Sequence, residues 1–209
     1  MDTTYFKGSW WVMVFRLRDP ITHSGKNILR YRVEYETNDM YRKWIAEIEE
    51  MWVTILGIIW DGRRWLLASL ERYNVQMCLF HMQAIIRRNV GKNPILEQHK
   101  ELKNIAYYLW KIREETRKER FNSFVCRNTE RLKEKNENWW YTHEKARRAV
   151  RSLRHHMKHL FTYAKVNWMP STSNSNEWNF SRAKTKNSLH RWKTKKRTRK
   201  FIDRYLNET

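Results

Sequence analysis

Val53-Thr54-Ile55-Leu56-Gly57-Ile58-Ile59-Trp60-Asp61-Gly62 is the stretch on which the reading of this chain turns. Residues 53–59 are apolar on both parities, as a strand covered on both faces would be, and Asp61-Gly62 supplies a turn to end it. A buried central strand, and so an α/β domain, is predicted. Upstream, residues 10–16 and 28–35 are rich in β-branched and aromatic side chains around a turn-like stretch at 19–26, which reads as a strand pair. Between them and the buried strand, Thr37 and Asn38 are N-cap candidates. Met40, Trp44, Ile45, Ile48 and Met51 then recur at helical spacing, predicting one amphipathic helix. Downstream, a short helix (63–71), a short strand (75–80) and a helix (82–90) precede a Gly/Pro breaker at 91–94.

From 95 to 166 the period is helical throughout, with Leu102, Ile105, Ala106 and Leu109 on one face and Ala146, Val150, Leu153, Met157, Leu160 and Phe161 marking another. Residues 167–176 read as a polar loop, with Glu177 opening a further helix. The cationic run 193–200 leads to a last amphipathic turn at Phe201, Ile202 and Leu206. The expected organisation is therefore an α/β part (1–94), a helical insertion (95–166) and a C-terminal part returning to the first (167–209).

Lys and Arg number 43 against 22 Asp and Glu, a net charge of +21, whereas solubility needs a net charge of only about 2 to 8 in a small domain. Such self-repulsion points to a polyanionic partner, DNA first, with no small-molecule substrate expected. A hydrophobic share of 41% excludes a disordered basic tail. The longest apolar run, residues 52–60, is far short of the ~20 that a bilayer-spanning helix needs, and the first residues carry no leader pattern, so no membrane partner and a cytoplasmic, nucleoid-associated protein are expected. Two cysteines, Cys78 and Cys126, make no disulfide framework. One imbalance stands out: 12 Trp against 5 Gly, where average usage gives Gly about 7% of a chain.

In so basic a chain the isolated acids are informative. Asp2 lies in a strand-like segment, Asp61 at the end of the buried strand, and Glu177 at a helix start. Carboxylates so held can converge to bind a pair of divalent ions for in-line attack on a phosphodiester. Each placement is also ordinary structure: a turn, a dipole-favoured helix acid and a terminal surface acid.

Cys78 and His81 form a Cys-x-x-His pair. A zinc site would need two more ligands from Cys126, His143, His155, His156 or His159, at no standard spacing, and the other reading is a buried Cys beside a hydrogen-bonding His. The three later histidines sit in a basic helix and are expected at its surface. Arg147, Arg148, Arg151, Arg154 and Lys158 share a helix face. With Lys193, Lys195, Lys196, Arg197, Arg199 and Lys200 they form a stripe suited to phosphate contacts.

Residues 1–6, Gly57-Ile58-Ile59-Trp60-Asp61-Gly62-Arg63-Arg64, Gln76-Met77-Cys78-Leu79-Phe80-His81 and Pro170-Ser171-Thr172-Ser173-Asn174-Ser175-Asn176-Glu177 follow one another in this order. The sequence thereby resembles the catalytic core of DDE transposases of bacterial insertion sequences, in the mutator-related group with a Cys-x-x-His motif. The resemblance implies an RNase H-like fold with a helical insertion before the last catalytic helix. It implies Asp2, Asp61 and Glu177 as a triad for two Mg²⁺ or Mn²⁺ ions, Asn174 as the Asn of an Asn-x-x-Glu motif, and Cys78 and His81 as a structural pair. The implied reaction is hydrolysis at transposon ends followed by attack of the freed 3′-hydroxyl on target DNA, by a self-associating enzyme.

The chain departs from that pattern in three ways. It begins one residue before the first acid, so it is expected to be truncated at its N-terminus. Asn176 stands where the family prefers Leu, and Trp52, Trp65, Trp178 and Trp192 stand where it has Gly. Two explanations of the tryptophans are open: UGA codons written as Trp in a lineage that reads them as Gly, or a decaying copy. A non-catalytic DNA-binding remnant or regulator is the alternative to a working transposase. A weaker one is an RNA-binding protein using Trp as stacking platforms.

Overall fold

The computed structural model describes residues 2–6, 10–19, 21–22, 24–35, 37–63, 66–67, 70–109, 114–166, 168–189 and 194–208, with backbone alone at 2–6, 10, 11 and 175. The domain is mixed α/β. Strands β1 (Asp2–Phe6), β2 (Trp10–Arg18) and β3 (Gly25–Val33) form an antiparallel sheet in that order, with Asp2 opposite Val14. A second sheet pairs β4 (Gly57–Trp60) with β5 (Asn74–Met77) in parallel.

β2 is the strand that both sides of the fold use. Its alternate residues Met13 and Phe15 point into the main core, where Trp44, Ile45 and Ile48 of α1 (Asn38–Glu50) pack. Val12 and Val14 point the other way, into a second core made by α8 (Asn174–Ser188) and α9 (Lys195–Glu208) with Phe180, Ala183, Ile202 and Leu206. A strand apolar on both parities is thus covered on both faces, as its period of two requires. Thr37 caps α1 through its side chain, which accepts from the Met40 amide.

The helical part comprises α2 (Leu79–Val90), α3 (Glu97–Tyr107), α4 (Glu114–Arg127), α5 (Thr129–Lys133), α6 (Glu144–His156), a 3₁₀ turn (Met157–His159) and α7 (Thr162–Lys165). α2 packs on α3 and α6 through fully buried Leu79, Met82, Ile86 and Leu102. Ala146 and Ala149 let α6 approach closely because they carry so little side chain.

Several sequence expectations are corrected. The buried strand predicted at 53–59 is only Gly57–Trp60, and Trp52, Thr54 and Leu56 are exposed. Apolar side chains there mark the crossing from α1 to the second sheet, where the chain has no strand to pair with until β5 supplies one. Instead of a helix over 63–71, the described residues show short 3₁₀ turns that bury Leu66 and Leu70. The strand predicted at 75–80 ends at Met77, and α2 begins at Leu79 rather than 82. The insertion is not helical throughout: residues 134–143 form a hairpin-like turn closed by a Lys135–Tyr141 bridge. α8 starts at Asn174, three residues before Glu177, and the basic residues from Lys195 onward and the amphipathic turn expected at Phe201, Ile202 and Leu206 are one helix, α9. No helix among the described residues is long and apolar enough to cross a membrane.

Candidate active site and nucleic-acid interface

Asp61 is the first residue beyond β4, whose end is held to the start of α2 by the Cys78 amide, which donates to the Trp60 carbonyl at 2.9 Å. Gly62 follows with φ +99°, a conformation open to glycine. A Cβ there would meet Met77 Sδ at 2.7 Å and His156 Nε2 at 3.3 Å. The turn returns Arg63 to Asp61, where its amide donates to Oδ1 at 3.4 Å and its Nε to Oδ2 at 3.3 Å.

From the other side, the loop before α8 is stitched to the start of α2. The Leu79 amide donates to Ser171 O at 3.0 Å, and the Ser173 amide and hydroxyl both donate to Cys78 Sγ, at 3.3 and 3.4 Å. These bonds set the first turn of α8, which brings Glu177 Oε1 to 3.4 Å from His81 Nε2. His81 lies one turn into α2, so Cys78 and His81 share a face at i, i+3. Burial pushes the Cys78 thiol up, but hydrogen bonds to His81 and Ser173 outweigh it and leave the thiol below its ordinary range. Burial raises the Asp61 carboxyl above its usual range, with His81 and the Arg63 amide opposing the shift.

Of the three predicted acids, Glu177 pairs with His81, and Asp61 directly follows the Trp60 carbonyl that the Cys78 amide holds, near enough for the His81 charge to act on it. Asp2 opens β1, against which α8 packs, but its side chain lies outside the described residues. Asp61 and Glu177 supply hard oxygen donors of the kind Mg²⁺ or Mn²⁺ takes. Among the described residues no three His, Cys, Asp or Glu side chains gather as a metal group. Cys78 and His81 are engaged with Ser173 and Glu177. Cys126 is exposed on α4 and His143 pairs with Glu134 at 3.4 Å, so the further zinc ligands considered from sequence are dispersed. Asn174 is exposed at the first position of α8.

Three residues have a setting that the sequence did not reveal. Asn176 and Asn179 are 5% and 4% exposed, and Asn176 Oδ1 and Asn179 Nδ2 have no hydrogen-bond partner among the described residues. Their i, i+3 spacing beside Phe180 and Ala183 was the available signal. The Asn176 amide donates to Ser173 O at 2.9 Å in the first turn of α8. His156, expected at the surface, is 1% exposed.

The basic stripe divides. Arg147, Arg151 and Arg154, at i, i+4 and i+7 of α6, line one groove of about 300 Å³ with Lys133 of α5. Arg151 and Arg154 are exposed and make no ion pair among the described residues. Arg147 is held by the Leu132 carbonyl and lies over the Tyr141 ring at 3.5 Å. Arg148 turns away to Glu144, and Lys158 borders a different cavity beside His159. Lys195, Lys196, Arg197, Arg199 and Lys200 are exposed on α9, while Lys193 lies outside the described residues.

Comparison with known proteins finds no matching family model, no matching curated protein and no matching solved structure.

Proposed function

We propose that the chain is a transposase catalytic domain of RNase H-like build that cuts and joins DNA strands. The observation that carries the reading is that two acids distant in sequence lie about the start of α2: Glu177 pairs with His81, and the strand that ends at Asp61 is bonded through Trp60 to Cys78. In this reading Asp61 and Glu177, with Asp2, hold two Mg²⁺ or Mn²⁺ ions. When bound, the ions supply Lewis-acid activation of the attacking oxygen and charge stabilisation of the leaving one. Arg63 fixes the Asp61 carboxylate from one side. His81 orients Glu177, and Ser173 and Cys78 lock the loop that sets the start of α8. The groove arginines of α6 and the exposed cations of α9 would take DNA phosphates. Self-association on paired DNA ends belongs to the same reading.

The test is Mg²⁺-dependent cleavage and strand transfer on DNA, compared with Asp61→Asn and Glu177→Gln. Loss of both steps in each variant, with DNA binding kept, supports the reading. Binding without metal-dependent chemistry in the parent chain overturns it in favour of a non-catalytic DNA-binding remnant or regulator.

A further inference from the structure

Arg117 of α4 occupies a core position, in line with Phe121 and Phe124 at i+4 and i+7, and is 7% exposed. Its guanidinium lies over the Phe161 ring at 5.0 Å, and Nη1 donates to the Tyr163 hydroxyl at 3.4 Å. Nε is buried without a hydrogen-bond partner among the described residues, and no carboxylate there comes within ion-pair distance. Glu114, the acid whose charge acts on it, is committed to Lys118 at 2.5 Å and Lys165 at 3.9 Å. A buried guanidinium without a counter-charge is costly, and burial holds it below its ordinary basicity.

Arg117 faces a cleft of about 520 Å³ between α3 and α4, lined also by Asn104, Tyr108, Arg120, Ser123 and Arg127. Two acids border it: Glu101 is taken by Arg127, and Glu119 is exposed at the rim. Three cations against two acids, with hydroxyl and amide groups between, suit a compact anion. We propose that this cleft is a phosphate subsite that takes one phosphodiester group of DNA, with Arg117 as its buried counter-charge and Arg120 and Ser123 as outer donors. The subsite rests on the nucleic-acid part of the function proposed above.

The test compares thermal unfolding in inorganic phosphate and in chloride at equal ionic strength, and the salt dependence of binding to a DNA duplex. Phosphate should raise Tm in the parent chain. Arg120→Gln, an exposed change that keeps the fold, should remove most of that rise and lower the salt slope by about 1. No phosphate-specific rise, or a rise and slope unchanged in Arg120→Gln, overturns the subsite. A phosphate response with an unchanged DNA slope overturns its assignment to DNA. Missing Mg²⁺-dependent cleavage with the phosphate response intact would defeat the transposase reading and leave the subsite standing.

A second inference rests on backbone geometry alone. Among the described residues, two that are not glycine have positive φ, and both are tryptophan: Trp52 and Trp139, each at 62°. Trp52 follows the C-cap of α1, Met51, and its amide donates to Glu49 O at 3.0 Å. This is the position just past a helix end where glycine is strongly preferred. Trp139 closes the 134–143 turn: its amide donates to Asn136 O at 2.9 Å, and the Asn136 amide to Trp140 O at 2.8 Å. Tight hairpins of this kind place glycine at the left-handed residue.

Neither indole is used by the fold. Trp52 is 96% and Trp139 is 78% exposed, with the Lys135 ammonium 5.1 Å from the Trp139 ring. Trp60, by contrast, is fully buried and donates to Arg63 O. Trp178 has ordinary helical backbone in α8 and Arg182 over its ring at 4.4 Å, so geometry does not mark it, and Trp65 and Trp192 lie outside the described residues. We infer that positions 52 and 139 are glycine positions, filled with glycine in the cell that owns the gene because UGA is read there as glycine. The chain's Trp excess and Gly deficit follow from the same cause.

Two measurements decide it. The gene should carry UGA at both positions, and peptides of the protein made in its own organism should have the mass of glycine there. In the recombinant chain, Trp52→Gly and Trp139→Gly should each raise Tm by about 2–4 °C, while Trp60→Gly lowers it. UGG at either position, or a fall in Tm for both exposed variants, overturns the inference.

Discussion

His156 Nε2 lies 2.8 Å from the carbonyl oxygen of Gly62, while its Nδ1 lies 2.7 Å from Ser152 O. The last residue of α6 thus reaches out of the helical insertion to the turn that carries Asp61. Trp60 packs beside it, with ring centroids 5.5 Å apart. A neutral imidazole has one N–H and serves one of these carbonyls at a time, so only a ring with both nitrogens protonated satisfies both.

Removing this clamp should loosen the turn after Asp61. His156→Phe keeps an aromatic ring but offers no ring nitrogen to Gly62 O or Ser152 O, at an expected cost of about 1–3 kcal/mol. Denaturant unfolding measures the loss. A change within error would show that the clamp holds nothing.

Asp61 sits above its ordinary carboxylate range because burial disfavours the charged form. The folded state therefore binds this proton more tightly than the unfolded one, and the group's contribution to stability falls as pH rises from the usual carboxylate range through the raised value. Asp61→Asn should be more stable than the parent at pH 7. That advantage should shrink as pH drops through the same window, read from Tm at pH 7 and pH 4. An advantage independent of pH would mean that desolvation is not the cause.

The two cysteines should differ in reactivity despite the lowered Cys78 thiol. Cys78 is 0% exposed and receives two bonds from Ser173, whereas Cys126 is exposed. An alkylating probe should modify Cys126 in the native protein and Cys78 only on unfolding, since access precedes thiolate content in setting the rate. Mass spectrometry counts the modified thiols. Equal labelling would contradict the burial of Cys78.

Arg151 and Arg154 face solvent in one groove. The double change Arg151→Gln with Arg154→Gln should weaken DNA binding uniformly across sequences and lower the slope of log K against log salt by about 2. Arg148→Gln, which only frees Glu144, should have a smaller effect. Titrations at several salt concentrations distinguish them.

Local chemistry made much of this legible beforehand. The 3.6-residue recurrence of Trp44, Ile45 and Ile48 announced α1, and the β-branched and aromatic run at 10–16 announced β2. Residues 53–59 misled because the pattern records that side chains are apolar, whereas strand formation needs a partner for the backbone. β5 supplies one only from Gly57 onward. The role of His156 was hidden for the converse reason: Arg151, Arg154 and Lys158 around it are cationic and exposed, and its partner Gly62 lies far away along the chain.

The sequence by itself determined the mixed α/β class, the helical middle, the cationic surface and the candidacy of Asp61 and Glu177, because residue spacing and charge are local properties. Packing of the whole chain was needed to show that Glu177 pairs with His81 near the strand end that carries Asp61, that β2 feeds two cores, that Arg117 lies buried against an open cleft, and that Trp52 and Trp139 hold left-handed backbone. Such facts depend on which distant segments pack together. That is fixed by the burial of the whole chain, and no stretch of residues carries it alone.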